Sequence, residues 1–520
     1  MHRRQVLRAG AAASGAMLLG RPTGALAQSL TTHDGYGTSR ASRLFPGTWV
    51  AHADMHNHSL LSDGDGDATL AFASMREAGL DIACLTDHST VSKDLAESPC
   101  LGDTDCQSLA GLDENAWALT AELADAADEP GRFTALRGFE WSSPTLGHMN
   151  VWFSEDWNDP LHTGGLGTLA DLLAFGHGEG FPDDGVVFPA LEQLIDLAAV
   201  PGEGMALWYE WLKLDPSTPL TGGGADGIAG FNHPGRENGR FSDFALDEAL
   251  VDRVVSLELF NRREDYLFER VDDGRDSPLV ACLDAGWRPG ILGVTDEHGT
   301  DWGHPDGKGR GGLWVTELSR RGVRKAMERR RFFATNLKGL RFDAAANGVR
   351  MGQTLTHQSG LVTFQVDIDA GASRRGQAID IQVLQTGSPL PTIVHVEHAR
   401  IPASSEPVVT FTVPIDIAKG DWLVLRVTDP ATDPDGRADA AYAAAGAAIG
   451  YASPFWLQAE GDPAPGPIDT SNPGPEPAPM PQPDGNVLPT TGGGTGLAAA
   501  LAALGGLVAL RRRGDEPHSH

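Results

Sequence analysis

Cysteine is scarce in this chain, with four residues in 520, at positions 84, 100, 106 and 282. None stands in the paired, closely spaced arrangement near histidines that a thiolate-bound zinc site requires, so that class of metal site is excluded. Cys100 and Cys106 share one loop, CLGDTDC, and are expected to form a disulfide outside the cytoplasm. Cys84 and Cys282, in DIACLTDH and PLVACLDAG, read as buried thiols. Positive charge is also in short supply. The 40 Lys and Arg face 70 Asp and Glu, a net charge of −30, which argues against nucleic acid as a partner. An anionic substrate would need positive charge supplied locally, and metal ions are one source. No GxSxG occurs, so no nucleophile-elbow serine is on offer, and no internal repeat is present.

What the chain does have begins with two addresses. In residues 1–27, Arg3-Arg4 precede an apolar run from Ala9 to Gly20, and Ala25-Leu26-Ala27 fits a small-x-small cleavage site. The pattern resembles a twin-arginine export signal, with the twin-arginine translocase as the implied partner. At the other end LPTTG (488–492) is followed by an apolar stretch and then Arg511-Arg512-Arg513. Over 488–513 this resembles a cell-wall sorting signal, cut by a sortase between Thr491 and Gly492. Without a sortase the apolar stretch, roughly 15–17 residues long, would be a hydrophobic tail anchor near the lower limit for a span. Either way the expected location is extracytoplasmic, attached to cell wall or membrane. Residues 460–487 are Pro-rich and poor in apolar side chains, and read as an extended stalk. About 430 residues remain, enough for two domains.

The stretch DMHNHSLLSDG (54–64) packs four candidate ligands into eleven positions. If 50–58 is a strand, Asp54, His56 and His58 share a face, because side chains alternate with period 2. Short apolar runs then recur, most of them stopping at His, Asp or Glu: LDIACLTDH (80–88), FTALRGFEW (133–141), HMNVWF (148–153), DGIAGFNHP (226–234), VVSLELFN (254–261) and RPGILGVTDEH (288–298). Helical patterns lie between them at 68–80 and 115–129. A long insertion, 154–225, carries two more, at 190–200 and 206–214. Seven strands mostly alternating with helices give an α/β class with a parallel sheet, expected to close. Chemistry in such barrels collects at the C-terminal strand ends.

HNH(x4)D, LTDH, GFEW, GHMN, NHP and TDEH, in this order at strand ends, resemble the successive motifs of the PHP (polymerase and histidinol phosphatase) superfamily over 48–336. The resemblance implies a distorted (β/α)7 barrel with a two- or three-metal site. TDEHGTDWGHPDGKGRGGLWV, the helical 319–336 and a tail ending YASPFWLQ look further like the CehA/McbA-type metallohydrolase branch. Carried over position by position, the first ion takes His56, His58, Glu140 and Asp296. The second shares Glu140 as a bridge and adds His148 and His233. The third takes Asp63, His88 and His298. Among these, Glu140, Asp296 and Asp63 are the carboxylates expected to carry catalysis. Six imidazoles and three carboxylates suit Zn, Mn or Fe better than Mg or Ca, which prefer all-oxygen shells. Asp54 and Asp87 are expected to orient imidazoles. Glu258 and Asn261 either hydrogen-bond ligands or substrate, or simply pack. Arg236 is either a clamp for a substrate anion or a solvent-exposed loop arginine. His52 and His304 lie near the motifs and could stand behind the ligands.

From 340 to 458, apolar runs of strand length alternate with Gly, Pro and Asp turns, which predicts an appended antiparallel β-sandwich. The expected whole is a secreted, surface-attached metal-dependent hydrolase. A phosphoesterase using a metal-bridging hydroxide is the first reading. Carbamate or ester hydrolysis, or a non-catalytic surface-binding protein stabilised by metal, are the alternatives. The substrate is expected to be a small phosphate ester or carbamate. Replacing Arg3 and Arg4 by Lys should hold the precursor in the cytoplasm, seen by fractionation; normal export of that variant would point to the general secretory route.

Overall fold

A computed structural model of the chain describes residues 39–89, 111–143, 146–158, 203–219, 222–304, 306–403 and 406–460. The export signal, the Cys100–Cys106 loop, the helix expected at 190–200, the stalk beyond 460 and the sorting signal lie outside the described residues. Among the described residues no helix is long and apolar enough to cross a membrane.

The described chain is mixed α/β and rich in sheet. Its first part contains β1 (Trp49–Asp54), β2 (Ile82–Leu85), β3 (Thr134–Ser143), β4 (Gly147–Trp152), β5 (Ile228–Phe231), β6 (Val254–Asn261), the short β7 (Glu264–Asp265), β8 (Gly290–Val294), β9 (Arg310–Val315) and β10 (Phe332–Thr335). β1, β2 and β3 pair in parallel, as do β5, β6 and β8. β4 runs antiparallel to both β3 and β5, so the sheet is not wholly parallel as expected. Only three residues separate Ser143 at the end of β3 from Gly147 at the start of β4, and a return that short permits only a hairpin, not a helical crossover. The two ends of the path meet just beyond β1 and β8. There Asn57 bridges Glu297, His58 N–H donates to the Glu297 carbonyl (2.9 Å) and Asp296 N–H to that of His56 (3.0 Å).

The helices follow their amphipathic patterns. α1 (Ala68–Glu77) is capped by Asp67, whose side chain accepts from Thr69 N–H, and buries Ala68, Ala71, Phe72 and Met75, one helical stripe. α2 (Glu114–Ala127) is capped by Asp113 and buries Trp117, Thr120 and Ala124. α3 (Glu203–Lys213) seats Trp208 and Trp211 in the largest apolar cluster, where Trp208 stacks on Trp141 at 4.7 Å. The helix expected over 319–336 is shorter. It ends at Glu328, and Phe332–Thr335 form β10. Arg330 takes a left-handed φ of 50°, which breaks the helical path, and its buried guanidinium donates to the carbonyls of Arg288 (2.8 Å) and Val251 (2.7 Å). The aromatic pair that follows favours a strand buried on both faces.

The later part is a sandwich of two sheets. One is antiparallel, joining Val349–Arg350, Arg341–Ala346, Gly360–Asp369 and Val409–Ile415. The other joins Thr392–Arg400, Ala378–Gln385, Trp422–Asp429 and Ala447–Ala452. Thr354–His357 pairs parallel with Phe455–Ala459, a departure from the all-antiparallel expectation. The sandwich is continuous with the first sheet, because Ala447–Ala452 pairs with β10 and β10 with β9. Its core is shared as well: Val50, Trp314 and Phe333 lie in one apolar cluster with Phe342, Val366, Ile381 and Leu425. Phe333 is fully buried, 5.7 Å from the ring of Phe342. Phe333→Ala should therefore cost about 3–5 kcal/mol in a denaturation experiment, and both parts should unfold in one transition; two well-separated transitions would contradict the shared core.

Candidate metal centre

The HNH stretch leaves β1 still extended, so His56 and His58 emerge on one side, two residues apart. Two indoles hold its backbone, Trp152 Nε1 donating to the Met55 carbonyl (3.0 Å) and Trp302 Nε1 to that of His58 (2.9 Å). The loop carrying Asp63 folds back against this strand so closely that a Cβ on Gly64 would lie 2.7 Å from Ser59 N; the motif's glycine is required there by close approach. Glu140 comes from β3 and His148 from β4. His88, His233, Asp296 and His298 follow the C-terminal ends of β2, β5 and β8. His233 (φ 24°) and Asp296 (φ 47°) both hold left-handed backbone, strain of the kind that persists where surroundings impose it.

All nine residues named from the motifs lie in one cluster. Glu140, fully buried, is its centre: Oε1 lies 3.2 Å from His56 Nε2, 3.3 Å from His148 Nδ1 and 3.3 Å from His233 Nε2. Its Oε2 lies 3.5 Å from His58 Nε2 and 2.8 Å from His88 Nδ1. Asp296 Oδ1 is 3.5 Å from His56 Nε2 and 3.2 Å from His58 Nε2, and those two nitrogens are 3.0 Å apart. Asp63 Oδ2 is 3.4 Å from the Nε2 atoms of both His88 and His298, and His58 joins this group through Nδ1, 3.8 Å from Asp63 Oδ1. Donor atoms lie within 4.8 Å of one another in the groups His58, Asp63, His88 and His298; His56, Glu140 and His233; His56, His58 and Asp296; and His88, Glu140 and His148, and His148 and His233 form a further such group with Glu237. Tetrahedral ligands at about 2.0–2.1 Å from a Zn-sized ion would stand about 3.3–3.4 Å apart, so the residues fit divalent metal. His58 Nδ1, His148 Nδ1 and Glu140 Oε2 are buried without a hydrogen bond, which is costly for a dry cluster with nothing to coordinate.

The electrostatics follow from this packing. Burial opposes the charged form of Glu140, but His56, His148 and His88 outweigh it and hold the carboxyl well below its ordinary range. Asp296 is likewise lowered against burial, chiefly by His56 and His58. At His56 burial is overcome by Glu140, Glu258 and Asp296, which raise its pKa well above the imidazole value. His58 goes the other way, lowered by burial and by the neighbouring imidazoles of His298 and His88.

Several surrounding residues differ from expectation. Asp54 accepts from Thr295 N–H (3.1 Å) and its hydroxyl, and Asp87 from Ser59 N–H (2.7 Å) and Ser62 Oγ (2.7 Å). Neither carboxylate hydrogen-bonds an imidazole; both brace the loops that carry the ligands. Glu258 takes the orienting role instead, with Oε1 2.9 Å from His56 Nδ1 and Oε2 accepting from His233 N–H (2.8 Å) and Asn261 Nδ2 (2.9 Å). Arg236 is no free loop arginine: it reaches Asp296 Oδ2 (3.2 Å) and the Tyr266 hydroxyl (3.3 Å). Four participants were not singled out by their motifs. Asn232 Nδ2 donates to Glu140 Oε1 (2.7 Å). Arg262 lies 3.3 Å from Asp296 Oδ2, and the Tyr266 hydroxyl accepts from Arg236 on the same aspartate (3.3 Å). Glu237 sits buried beside His148 and His233, which lower its carboxyl to about 2 against the effect of burial. The Asn of NHP adjoins a ligand and could have been found; Glu237, four residues past His233 in a loop, gives no periodic signal. Beside the cluster, a cavity of about 540 Å³ is lined by Arg263, Glu297, Gly299, Thr300, Asp301, His304 and Lys308.

A family model described as a protein of unknown function (DUF3604) matches residues 51–162. No curated protein matches the chain. Among solved structures the chain is similar to a two-domain protein from Bacteroides vulgatus, described as containing a predicted PHP-like metal-dependent phosphoesterase. That pair is 15% identical over 80% of this chain and 99% of the other, with a TM-score of 0.35. It is also similar to an amidohydrolase from Chromobacterium violaceum, solved with bound sulfate and no metal, at 16% identity over 49% of this chain and 90% of that one, with a TM-score of 0.23.

Glu140→Gln keeps the size of the central carboxylate but removes the charge on which five imidazoles converge. Elemental analysis of the purified variant should find at least one divalent ion fewer per chain than in the unaltered protein; equal metal content would remove Glu140 from the centre.

Proposed function

We propose that this chain is a metal-dependent hydrolase of anionic esters, phosphate esters first among them, built on a distorted (β/α)7 barrel of PHP type. The observation that carries the reading is the convergence of six imidazoles and three carboxylates on one largely buried point, with donor spacings suited to divalent ions. His56, His58, Glu140 and Asp296 would hold one ion, Glu140, His148 and His233 a second, and Asp63, His88 and His298 a third. When bound, such ions supply Lewis acidity toward an ester oxygen and a water of lowered pKa.

The rest of the work falls to side chains. Glu258 fixes the ring of His56, so that its Nε2 faces Glu140 and Asp296. Asp296 divides its oxygens, Oδ1 toward the imidazoles and Oδ2 toward the guanidiniums of Arg236 (3.2 Å) and Arg262 (3.3 Å). Arg236 is further tethered by Tyr266 and by Asn261 Oδ1 (3.4 Å), while Arg262 stays substantially exposed. Two planar cations at the mouth suit the oxygens of a phosphate or a related anion. In a chain of net charge −30, such a local reversal of sign favours entry of an anion. A neutral carbamate makes no comparable use of the pair. We also propose that the enzyme is exported through the twin-arginine translocase and held at the cell wall or membrane by its C-terminus, with a sortase as the processing partner. Arg3-Arg4 with the following apolar run, and LPTTG with its apolar stretch and basic stop, support that placement.

Purified protein loaded with Mn²⁺ or Zn²⁺ and assayed on phosphomonoesters, phosphodiesters and aryl carbamates should turn over the phosphate esters preferentially. Arg236→Ala should raise KM for them by about 10–100-fold, the worth of one charge-assisted hydrogen bond, while metal content stays the same. Preference for carbamates, or an unchanged KM, would overturn the anionic-ester reading.

A further inference from the structure

The two imidazoles that flank Glu140 from β4 and β5 share a second carboxylate on their outer side. His148 faces Glu140 Oε1 with Nδ1 and His233 faces it with Nε2, each at 3.3 Å. An imidazole carries its nitrogens on different edges of the ring, so each must direct its other nitrogen away from Glu140. Both of those outer nitrogens meet Glu237: His148 Nε2 lies 3.8 Å from Oε1 and His233 Nδ1 lies 3.6 Å from Oε2. One oxygen serves each ring. Glu237 is only 4% exposed, and neither of its oxygens nor His233 Nδ1 has a hydrogen bond. The same arrangement exists in closed form across the site, where Glu258 Oε1 stands 2.9 Å from the outer nitrogen of His56.

An imidazole that ligates through one nitrogen carries its proton on the other, and a buried N–H without an acceptor is costly. Two such N–H groups face one ionised carboxylate here, short of hydrogen-bond contact by about half an ångström. We propose that Glu237 is the positioning residue for the ion held by Glu140, His148 and His233, accepting both outer N–H groups, fixing both tautomers and adding its negative charge to that ion's surroundings. The proposal rests on the metal-centre reading above. It separates the second ion from the others, because Glu237 meets no residue of the Asp63, His88 and His298 group.

The test is a titration of metal-stripped full-length protein with Zn²⁺ against a chromophoric chelator, with elemental analysis of the loaded forms and the visible spectrum of the Co²⁺-substituted protein. Glu237→Gln keeps the shape but offers an oxygen to one ring and an N–H to the other. It should weaken one ion by about 10–100-fold, shift the Co²⁺ spectrum and leave the remaining ions at their original affinity. Glu237→Asp, which keeps the charge on a shorter stem, should fall between. If the unaltered protein binds no divalent ion, the metal-centre reading fails. If it binds ions and Glu237→Gln binds all of them unchanged, only the role of Glu237 fails. Should the Gln variant not fold, unaltered affinities in Glu237→Asp would overturn the proposal.

Discussion

A carboxylate with no access to water governs this molecule. Glu140 lies toward the C-terminal end of β3, and its ionised form is tolerable only because imidazoles surround it, from His88 at 2.8 Å to His58 at 3.5 Å. Removing a charge from water costs several kcal/mol unless partners are in place, and no single strand could supply them. The imidazoles arrive from β4 and from just beyond the ends of β1, β2 and β5. Bridging the segment after β1 to that after β8, at Asn57 and Glu297, brings those donors within reach. The backbone thus serves an electrostatic requirement, and the reversed β4 contributes by bringing His148 opposite Ser142, two residues beyond Glu140.

Around this centre, charges are arranged in alternating layers. Glu140, Asp296 and Asp63 sit among imidazoles; Glu258 and Glu237 stand behind those rings; Arg236 and Arg262 lie against the outer oxygen of Asp296. Each layer lowers the cost of the one inside it. The same logic keeps buried ion pairs elsewhere, as where Arg350 and Ser42 satisfy Asp343 beneath the sandwich. The shared core around Phe333 then couples the sandwich to the strands that carry the site.

Much of this was legible in the chain. The spacing in HNH placed two imidazoles on one face because strands alternate, and the polar residues ending each apolar run marked the mouth because strand ends converge there. The stripe at Ala68, Ala71, Phe72 and Met75 announced a helix by period alone. Illegible features share a different character. The direction of β4 depended on the tightness of its return, and the early end of the last helix on the left-handed Arg330. Asp54 and Asp87 looked like partners of imidazoles from their places in the motifs, but the hydroxyls and amides of Thr295, Ser59 and Ser62 are closer.

By itself the sequence determined the kinds of donor and the chemistry open to them: many histidines with carboxylates at strand ends, few cysteines, no nucleophilic serine motif, and an acidic chain in need of local positive charge. These are properties of residue type and of short-range period, which the chain carries without folding. Only the tertiary structure decided which nitrogen of each ring points inward, that Glu258 and Glu237 face the outer nitrogens, and that two arginines meet at Asp296. Those facts depend on contacts between residues far apart in the chain, such as His56 with Glu258 and Arg236 with Asp296. Electrostatic energy falls steeply with separation, so ångström-level placement, which no local pattern encodes, assigns each charge its role.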